Sequence, residues 1–452
     1  MASMSWLALM SGRRIGRLDE GVEFGGPRSP FQRDSDRILF SSAFRRMQDK
    51  TQVFPLAKND YVRTRLTHSL EVSSVGRSLG VMAGDALLKK YSDLSAAGLQ
   101  ASDFGTVVAA ACLAHDIGNP PFGHAGESAI QEWFRSPDVD RRHGAGRGMQ
   151  DVHQEDLKSF EGNAQGFRIL TRLQFPSQIG GMQLSAAVLG AFAKYPRLSV
   201  VEPRGATGIS GKKFGFFVAD ADSFRQVAEV LGLRKKADGA WYRHPLAFLM
   251  EAADDICYRI MDVEDGFRTG CLTFDEVRSL FEGVLDNPSL KRLDDIPSNK
   301  HRVEYLRAKA IDTAIREVVG VFLDREEAIL AGDFDDDLMK HVEHAVEFSA
   351  FKERAREKVY SARAVVEVEA CGFKVLGGLL EAFLSAVDDY TSNGKAKASA
   401  RSKTMLRLLP EGSVREDLDF YERALVVTDA VSGMTDSFAL TMYQRIHGIS
   451  LP

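Results

Sequence analysis

The 452-residue chain is 44% hydrophobic and 27% charged, which gives enough apolar material for a real core and an ordinary polar surface. Its formal net charge of −5 excludes a global pull toward nucleic acid or anionic lipid, so any such contact needs a local patch. The scattered cysteines Cys112, Cys257, Cys271 and Cys371 exclude a disulfide framework and a thiolate zinc site, and read as a reducing compartment.

No apolar run reaches the ~18 residues that span a bilayer. Arg13, Arg14 and Arg17 follow the short N-terminal apolar run, the wrong order for a secretory signal. The expectation is a cytoplasmic protein with no membrane partner. At ~150 residues per domain the length allows about three domains, or one large helical domain with appendages.

Residues 1–33 are polar and rich in Gly and Pro and read as a loosely ordered arm. From Asp34 the spacing of Ile38, Leu39, Phe40, Ala43, Phe44 and Met47 predicts a helix. Gln48 to Pro55 reads as a short extended piece closed by proline. Asn59 to Thr67 opens a long helix with His68, Val72, Val75, Leu79 and Met82 on one face. Residues 102–116 form an apolar helix that ends in His115-Asp116. Gly118-Asn119-Pro120-Pro121 break it with a sharp turn. A further helix, His124 to Phe134, then carries His124 and Glu127 on one face, three residues apart.

Arg141 to Gln154 has no apolar periodicity and reads as a mobile lid or a disordered loop. Helices resume over 160–173 and 184–192. Residues 196–218 look irregular, with Lys212 to Val218 as a short strand. Helices follow at 246–263, 273–285, 301–325, 334–357, 361–388 and 415–446. The basic segment 394–403 interrupts them and reads as a flexible solvated linker. Its alternative reading is a site for a regulatory nucleotide or single-stranded DNA. Strand patterns are few, so the expected class is all-α with minor β. The expected organisation is an arm over 1–33, a helical core over 34–270, and a C-terminal helical region over 271–452 that completes the site.

His115 and Asp116 need partners to hold a divalent cation. His68 is one candidate and Asp254 another. Asp254, Tyr258 and Asp262 are spaced i, i+4, i+8, which places two acids and a phenol on one stripe of an apolar helix. Such a stripe is costly to bury without a cation or polar ligand. Two imidazoles and two carboxylates suit Mn, Fe, Co, Ni or Zn and tolerate Mg less well. Taken singly, each of these residues has a bland alternative, as a helix cap, a core histidine or a solvated acid.

In this order the residues His68, His115-Asp116 and Asp254 resemble the H…HD…D signature of the HD-domain phosphohydrolases. More narrowly, the chain resembles the bacterial deoxyguanosinetriphosphate triphosphohydrolase family. The matching blocks are Phe44 to Val53, Arg63 to Val72, Ala114 to Glu127, Phe160 to Gln165, Lys194 to Pro196, Glu251 to Asp255 and Ser432 to Asp436. The resemblance implies an HD-domain helical core with additional C-terminal helices. It implies metal-dependent hydrolysis of a dNTP to deoxynucleoside and inorganic triphosphate, with His68, His115, Asp116 and Asp254 on the metal (Mn, Mg, Fe, Co, Ni or Zn).

It further implies His124 and Glu127 as the catalytic pair, with His124 protonating the 5′-oxygen; His124 activating water is the reverse assignment. Arg65, Lys194 and Tyr195 would face the phosphates. Tyr258 and Asp262 would face the sugar 3′-OH, and Gln48 the sugar or base. Asn119 stands where many members carry a second histidine, which resembles the branch favouring dGTP. A homo-oligomer, with a hexamer as one size, is also implied. The rival readings are an HD phosphohydrolase of nucleoside monophosphates or guanosine polyphosphates, and a non-catalytic nucleotide-sensing or nucleic-acid-binding protein.

Overall fold

The computed structural model describes residues 3–19, 24, 27–51, 63–144, 149–201, 208–361 and 363–449. The chain is 69% helical, and the two strands among the described residues, β1 (Lys235–Ala237) and β2 (Ala240–Trp241), pair as a small antiparallel ribbon. The class is therefore all-α. The helices that build the site are α1 (Pro30–Leu39), α2 (Arg65–Lys90), α3 (Ala101–Ala114), α4 (Gly123–Arg135), α5 (Gly162–Arg168), α6 (Pro245–Arg268), α7 (Asn299–Asp324), α8 (Ala345–Ala355), α9 (Arg363–Lys397), α10 (Phe420–Ser432) and α11 (Asp436–Ile446).

The central pair is α2 and α3, which run antiparallel. Gly76, Gly80 and Gly84 recur every four residues along α2 and admit α3 at close range. A Cβ on Gly76 would meet Cys112 Sγ at 2.5 Å, one on Gly80 the Phe104 carbonyl at 2.7 Å. This antiparallel register sets the N-terminal turn of α2, with His68, beside the C-terminal end of α3, with His115. Helix α6 crosses both, with Ala253 against Gly76. Thr64 begins α2 with a capping box, accepting from the Thr67 amide.

The described residues form two apolar cores. The first gathers α2, α3, α6 and α7 around residues such as Val72, Leu79, Phe104, Val108, Ile256 and Phe322. The second joins α4 to α9, α10 and α11 through Phe122, Ile130, Phe134, Leu376, Leu380, Phe383 and Val431. Helix α4 thus starts at the edge of one core and packs into the other.

Several sequence expectations need correction. The N-terminal arm is not loose over its described part: Trp6, Leu9 and Met10 are buried, and Trp6 Nε1 donates to Glu326 Oε1 at 2.6 Å. Buried aromatic surface anchors it despite its polar composition. Lys212 to Val218 forms no strand. Phe214, Phe216 and Phe217 all point into packed aromatic clusters, and Gly215 abuts the Tyr195 carbonyl, which alternation across a strand does not allow. Leu39, Phe40 and Met82 are exposed, with Phe40 at 75%.

The helix expected over 334–357 starts later, after the short turn Leu338–Lys340, and the helix expected over 415–446 is two. Residues 394–403 are not a linker. They turn at Gly394 (φ 74°) and re-enter a helix at Ala400–Leu406, with the Lys395 amide bonded to Glu416 Oε1 at 2.8 Å and the Ser399 amide to Asp389 Oδ2 at 2.9 Å. Part of α9, Val365–Lys397, is long and apolar enough to cross a membrane, a run the sequence pattern did not register; half of its most apolar window is buried inside the protein. The extended piece beyond Thr51, the helix opening at Asn59 to Val62, and residues 145–148 of the expected lid lie outside the described residues.

Candidate active site

His68, in the first turns of α2, and His115, just past the end of α3, lie with ring centroids 5.4 Å apart. His68 Nε2 is 3.2 Å from Asp254 Oδ1. His115 Nε2 is 3.5 Å from Asp116 Oδ1 and 3.5 Å from Asp254 Oδ1. His115 Nδ1 lies 2.7 Å from the Cys112 carbonyl. That contact fixes the proton on Nδ1 of the neutral ring and turns the Nε2 lone pair toward the cluster.

Nitrogen and oxygen ligands bind divalent ions at ~2.0–2.2 Å, which places neighbouring ligands ~3.0–3.5 Å apart. The separations of 3.2 and 3.5 Å match that spacing. His68, His115 and Asp116 present ligand atoms all within 4.8 Å of one another, and Asp254 adjoins them through the two imidazoles rather than closing the same tight group. This donor set fits one divalent cation, with imidazoles selecting Mn, Fe, Co, Ni or Zn over Mg.

Electrostatics agree with that fit. Burial opposes charge on His115, yet Asp116 and Asp254 outweigh it and raise it to about 9, so that without a cation the imidazole itself carries the positive charge between them. Burial likewise pushes the two acids up, but Arg65 and His115 hold Asp116 down to about 2, and His115 and His68 hold Asp254 well below the carboxylate range. Two carboxylates this deep need positive charge beside them.

Both oxygens of Asp116 carry a further donor. Asn119 Nδ2 donates to Oδ1 at 2.5 Å and Arg65 Nη1 to Oδ2 at 2.5 Å. Asn119 thus orients a carboxylate of the cluster. Arg65 is buried, and its Nε has no partner among the described residues. A Cβ on Gly123 would sit 2.9 Å from Arg65 Nη2, so the guanidinium spans from the cluster to the start of α4. Lys194 Nζ lies 3.6 Å from both Glu251 Oε1 and Asp254 Oδ2, and these acids keep its pKa raised against its burial.

Helix α4 starts from Phe122, which holds the left-handed conformation (φ 63°, ψ 17°). For a non-glycine residue this costs about 1–2 kcal/mol. The His124 side chain is 87% exposed and its Nδ1 is 3.2 Å from Glu127 Oε2. Glu127 is buried and its Oε1 accepts from the Gly162 amide at 2.8 Å. Burial pushes Glu127 up, but the His124 hydrogen bond and Lys213 more than offset it and leave it below its ordinary value. Lys213 Nζ stands 3.8 Å from Glu127 and 2.8 Å from Glu161 Oε2. A Cβ on Gly162 would strike Asn119 Oδ1 at 2.2 Å and Glu127 Oε1 at 2.8 Å. The His124–Glu127 pair and the Asp116–Asn119 pair therefore share one wall.

Tyr258 and Asp262 continue along α6 from Asp254. Tyr360 OH donates to Asp262, whose carboxyl is pushed by burial up to about 7. Lys352 Nζ lies 5.6 Å from the centroid of the Tyr258 ring. Beside the cluster opens a cavity of about 720 Å³ lined by Lys194, Tyr195, Lys212, Glu251, Asp255 and Lys352 among others. Its size suits a small-molecule ligand. Tyr195 is buried, with its ring facing Arg243. Gln48 lies apart from this group: it is exposed on the turn Met47–Asp49 and bonds to none of the other candidates among the described residues.

Lys213, Glu161, Lys352 and Tyr360 were missed as site residues by sequence reasoning. Glu161 sits in a matching block and could have been found there. The other three reach the site through tertiary packing and carry no local signal.

The HD domain family matches residues 65–148, and the phosphohydrolase-associated domain matches residues 338–445. The chain is 46% identical to a deoxyguanosinetriphosphate triphosphohydrolase-like protein of Synechocystis sp., over 99% of this chain and 100% of the relative. It is 39% identical to a protein of the same description from Pseudomonas aeruginosa, over 99% and 100%. It is 32% identical to the deoxyguanosinetriphosphate triphosphohydrolase of Klebsiella pneumoniae, over 93% and 94%.

Proposed function

The chain belongs to the deoxyguanosinetriphosphate triphosphohydrolase-like family of HD-domain phosphohydrolases, and from that premise we propose that it hydrolyses a deoxynucleoside triphosphate, dGTP foremost, to the deoxynucleoside and inorganic triphosphate. The observation that supports this reading is the cluster of His68, His115 and Asp116, adjoined by Asp254 through the two imidazoles, one wall away from the His124–Glu127 pair.

His68, His115, Asp116 and Asp254 would hold the divalent cation. When bound, that ion supplies Lewis-acid stabilisation at the α-phosphate and polarises water. Arg65, released from part of its contact with Asp116, offers its guanidinium fork to the same phosphate. Lys194 and Tyr195 line the cavity where the triphosphate tail fits. The bond from the α-phosphorus to the 5′-oxygen breaks as water adds to that phosphorus, and the departing 5′-oxygen needs a proton. His124, exposed and backed by Glu127, would give it. Lys213 and the Gly162 amide keep Glu127 ionised for that role. By the family resemblance Tyr258 would clash with a 2′-OH and Asp262, bonded to Tyr360, would meet the 3′-OH, which together would favour deoxyribose.

The test of the activity is incubation with each dNTP and with GTP in Mn²⁺ or Mg²⁺, with tripoly-, pyro- and orthophosphate resolved. Tripolyphosphate from dGTP and little from GTP is expected; orthophosphate or pyrophosphate as first product sinks the reading.

A further inference from the structure

The left-handed residue that starts α4 is held by a carboxylate from the far end of the chain. Asp436, in the first turn of α11, is buried. Its Oδ1 accepts from the Phe122 amide at 2.9 Å. Its Oδ2 accepts from the Thr51 amide at 3.1 Å and the Thr51 hydroxyl at 2.6 Å. Three donors thus converge on one carboxylate from two segments far apart in sequence.

Neighbouring contacts tighten the same knot. Lys50 Nζ donates to the Asn119 carbonyl at 2.5 Å and to the Ser432 carbonyl at 2.8 Å. Ser437 Oγ donates to Asp49 Oδ1 at 2.9 Å. Phe122 is also pinned from its other side, where its ring packs against Gly372 of α9. A left-handed N-cap with no side-chain cap of its own is otherwise free to relax, and relaxation would swing the first turn of α4, which carries His124 and Glu127.

We propose that Asp436 is a positioning residue for the His124–Glu127 pair, acting through the Phe122 amide, and that the phosphohydrolase-associated region completes the active site by this contact. The proposal rests on the catalytic assignment of His124 and Glu127. Among the described residues Asp436 bonds to the Phe122 and Thr51 donors and to none of His68, His115, Asp116 and Asp254; it fixes the backbone turn from which the pair projects.

The test combines amide hydrogen exchange with steady-state kinetics on the full-length protein. In Asp436→Ala the Phe122 amide loses protection, and kcat falls ~10–100-fold, while KM and Mn²⁺ affinity stay within about twofold of wild type. In a His124→Ala background the same substitution causes no further loss, because the group it positions is gone. Unchanged exchange at residues 117–127, or an equal loss of kcat with and without His124, overturns the proposal. Should the alanine variant fail to fold, the isosteric Asp436→Asn takes its place, with the same direction and a smaller amplitude expected and no change contradicting. Were the wild type inert toward every dNTP, the catalytic reading would fall. Exchange at Phe122 would then decide the anchor alone, increasing if Asp436 holds the turn and staying constant if it does not.

Discussion

At the scale of single residues, Asn119 makes one of the most direct contacts with the cluster outside the four donors. Its amide orients Asp116 from 2.5 Å, and outer partners of this kind are worth 10–100-fold in metal affinity as a rule. Asn119→Ala is therefore expected to weaken Mn²⁺ binding by ~10–100-fold in a titration, with the fold intact; unchanged affinity would remove Asn119 from the site. His124→Ala is expected to keep metal and nucleotide binding and lose ~100-fold or more in kcat; near-normal turnover would remove it from the chemistry. The donors were legible in the sequence because imidazole and carboxylate at those spacings are scarce on apolar helices. Arg65 was legible too, though it rests on Asp116 in this structure. Lys213 and Tyr360 were not, because one of two adjacent lysines ahead of an aromatic run and a tyrosine nearly a hundred residues from Asp262 look like ordinary residues until the chain is folded.

At the scale of elements, the turn between α3 and α4 leaves no slack. A Cβ on Gly118 would lie 2.1 Å from both the Gly162 carbonyl and the Gly166 amide, backbone that cannot step aside. Gly118→Ala is expected to destabilise the protein by about 3 kcal/mol, read as a lowered Tm. The breaker residues announced this turn, but its partner, the start of α5, could not be read from them.

The N-terminal segment is tied in by a histidine. His244 Nδ1 accepts from the Leu246 amide at 3.1 Å, and its Nε2 lies 3.0 Å from the Leu9 carbonyl, to which it donates. Burial pushes His244 down to about 4. The unfolded chain takes up this proton near pH 6.5 and the folded one does not until about pH 4. Stability is thus full above pH 6.5 and is lost as pH falls toward 4, by up to ~3 kcal/mol. His244→Gln should flatten the Tm profile between those limits; a profile as steep as wild type would contradict this. Composition marked the arm as loose because the buried apolar side chains that order it, Met4, Trp6, Leu9, Met10 and Ile15 among them, are spread among polar residues without a periodic signal.

At the scale of the whole molecule, the donors and the His124–Glu127 pair stand where two cores meet. Helices α2, α3 and α6 carry the donors in the first core, and α4 leans on α9, α10 and α11 in the second. A chain cut after residue 337 keeps every donor but strips the partners of Phe122, Ile130 and Phe134. It is expected to bind a hydrophobic dye and to lack turnover; a dye-silent, active fragment would contradict the joint design. The helical class was readable from periodicity, whereas the sharing of α4 between cores was not, since its apolar face does not say which partner covers it. The most direct measurement is anomalous scattering from crystals grown with Mn²⁺. One peak ~2.0–2.3 Å from His68 Nε2, His115 Nε2, Asp116 Oδ1 and Asp254 Oδ1 is the predicted result. A density map with no peak among those four atoms at saturating Mn²⁺, or a peak elsewhere that supports turnover, would contradict the account.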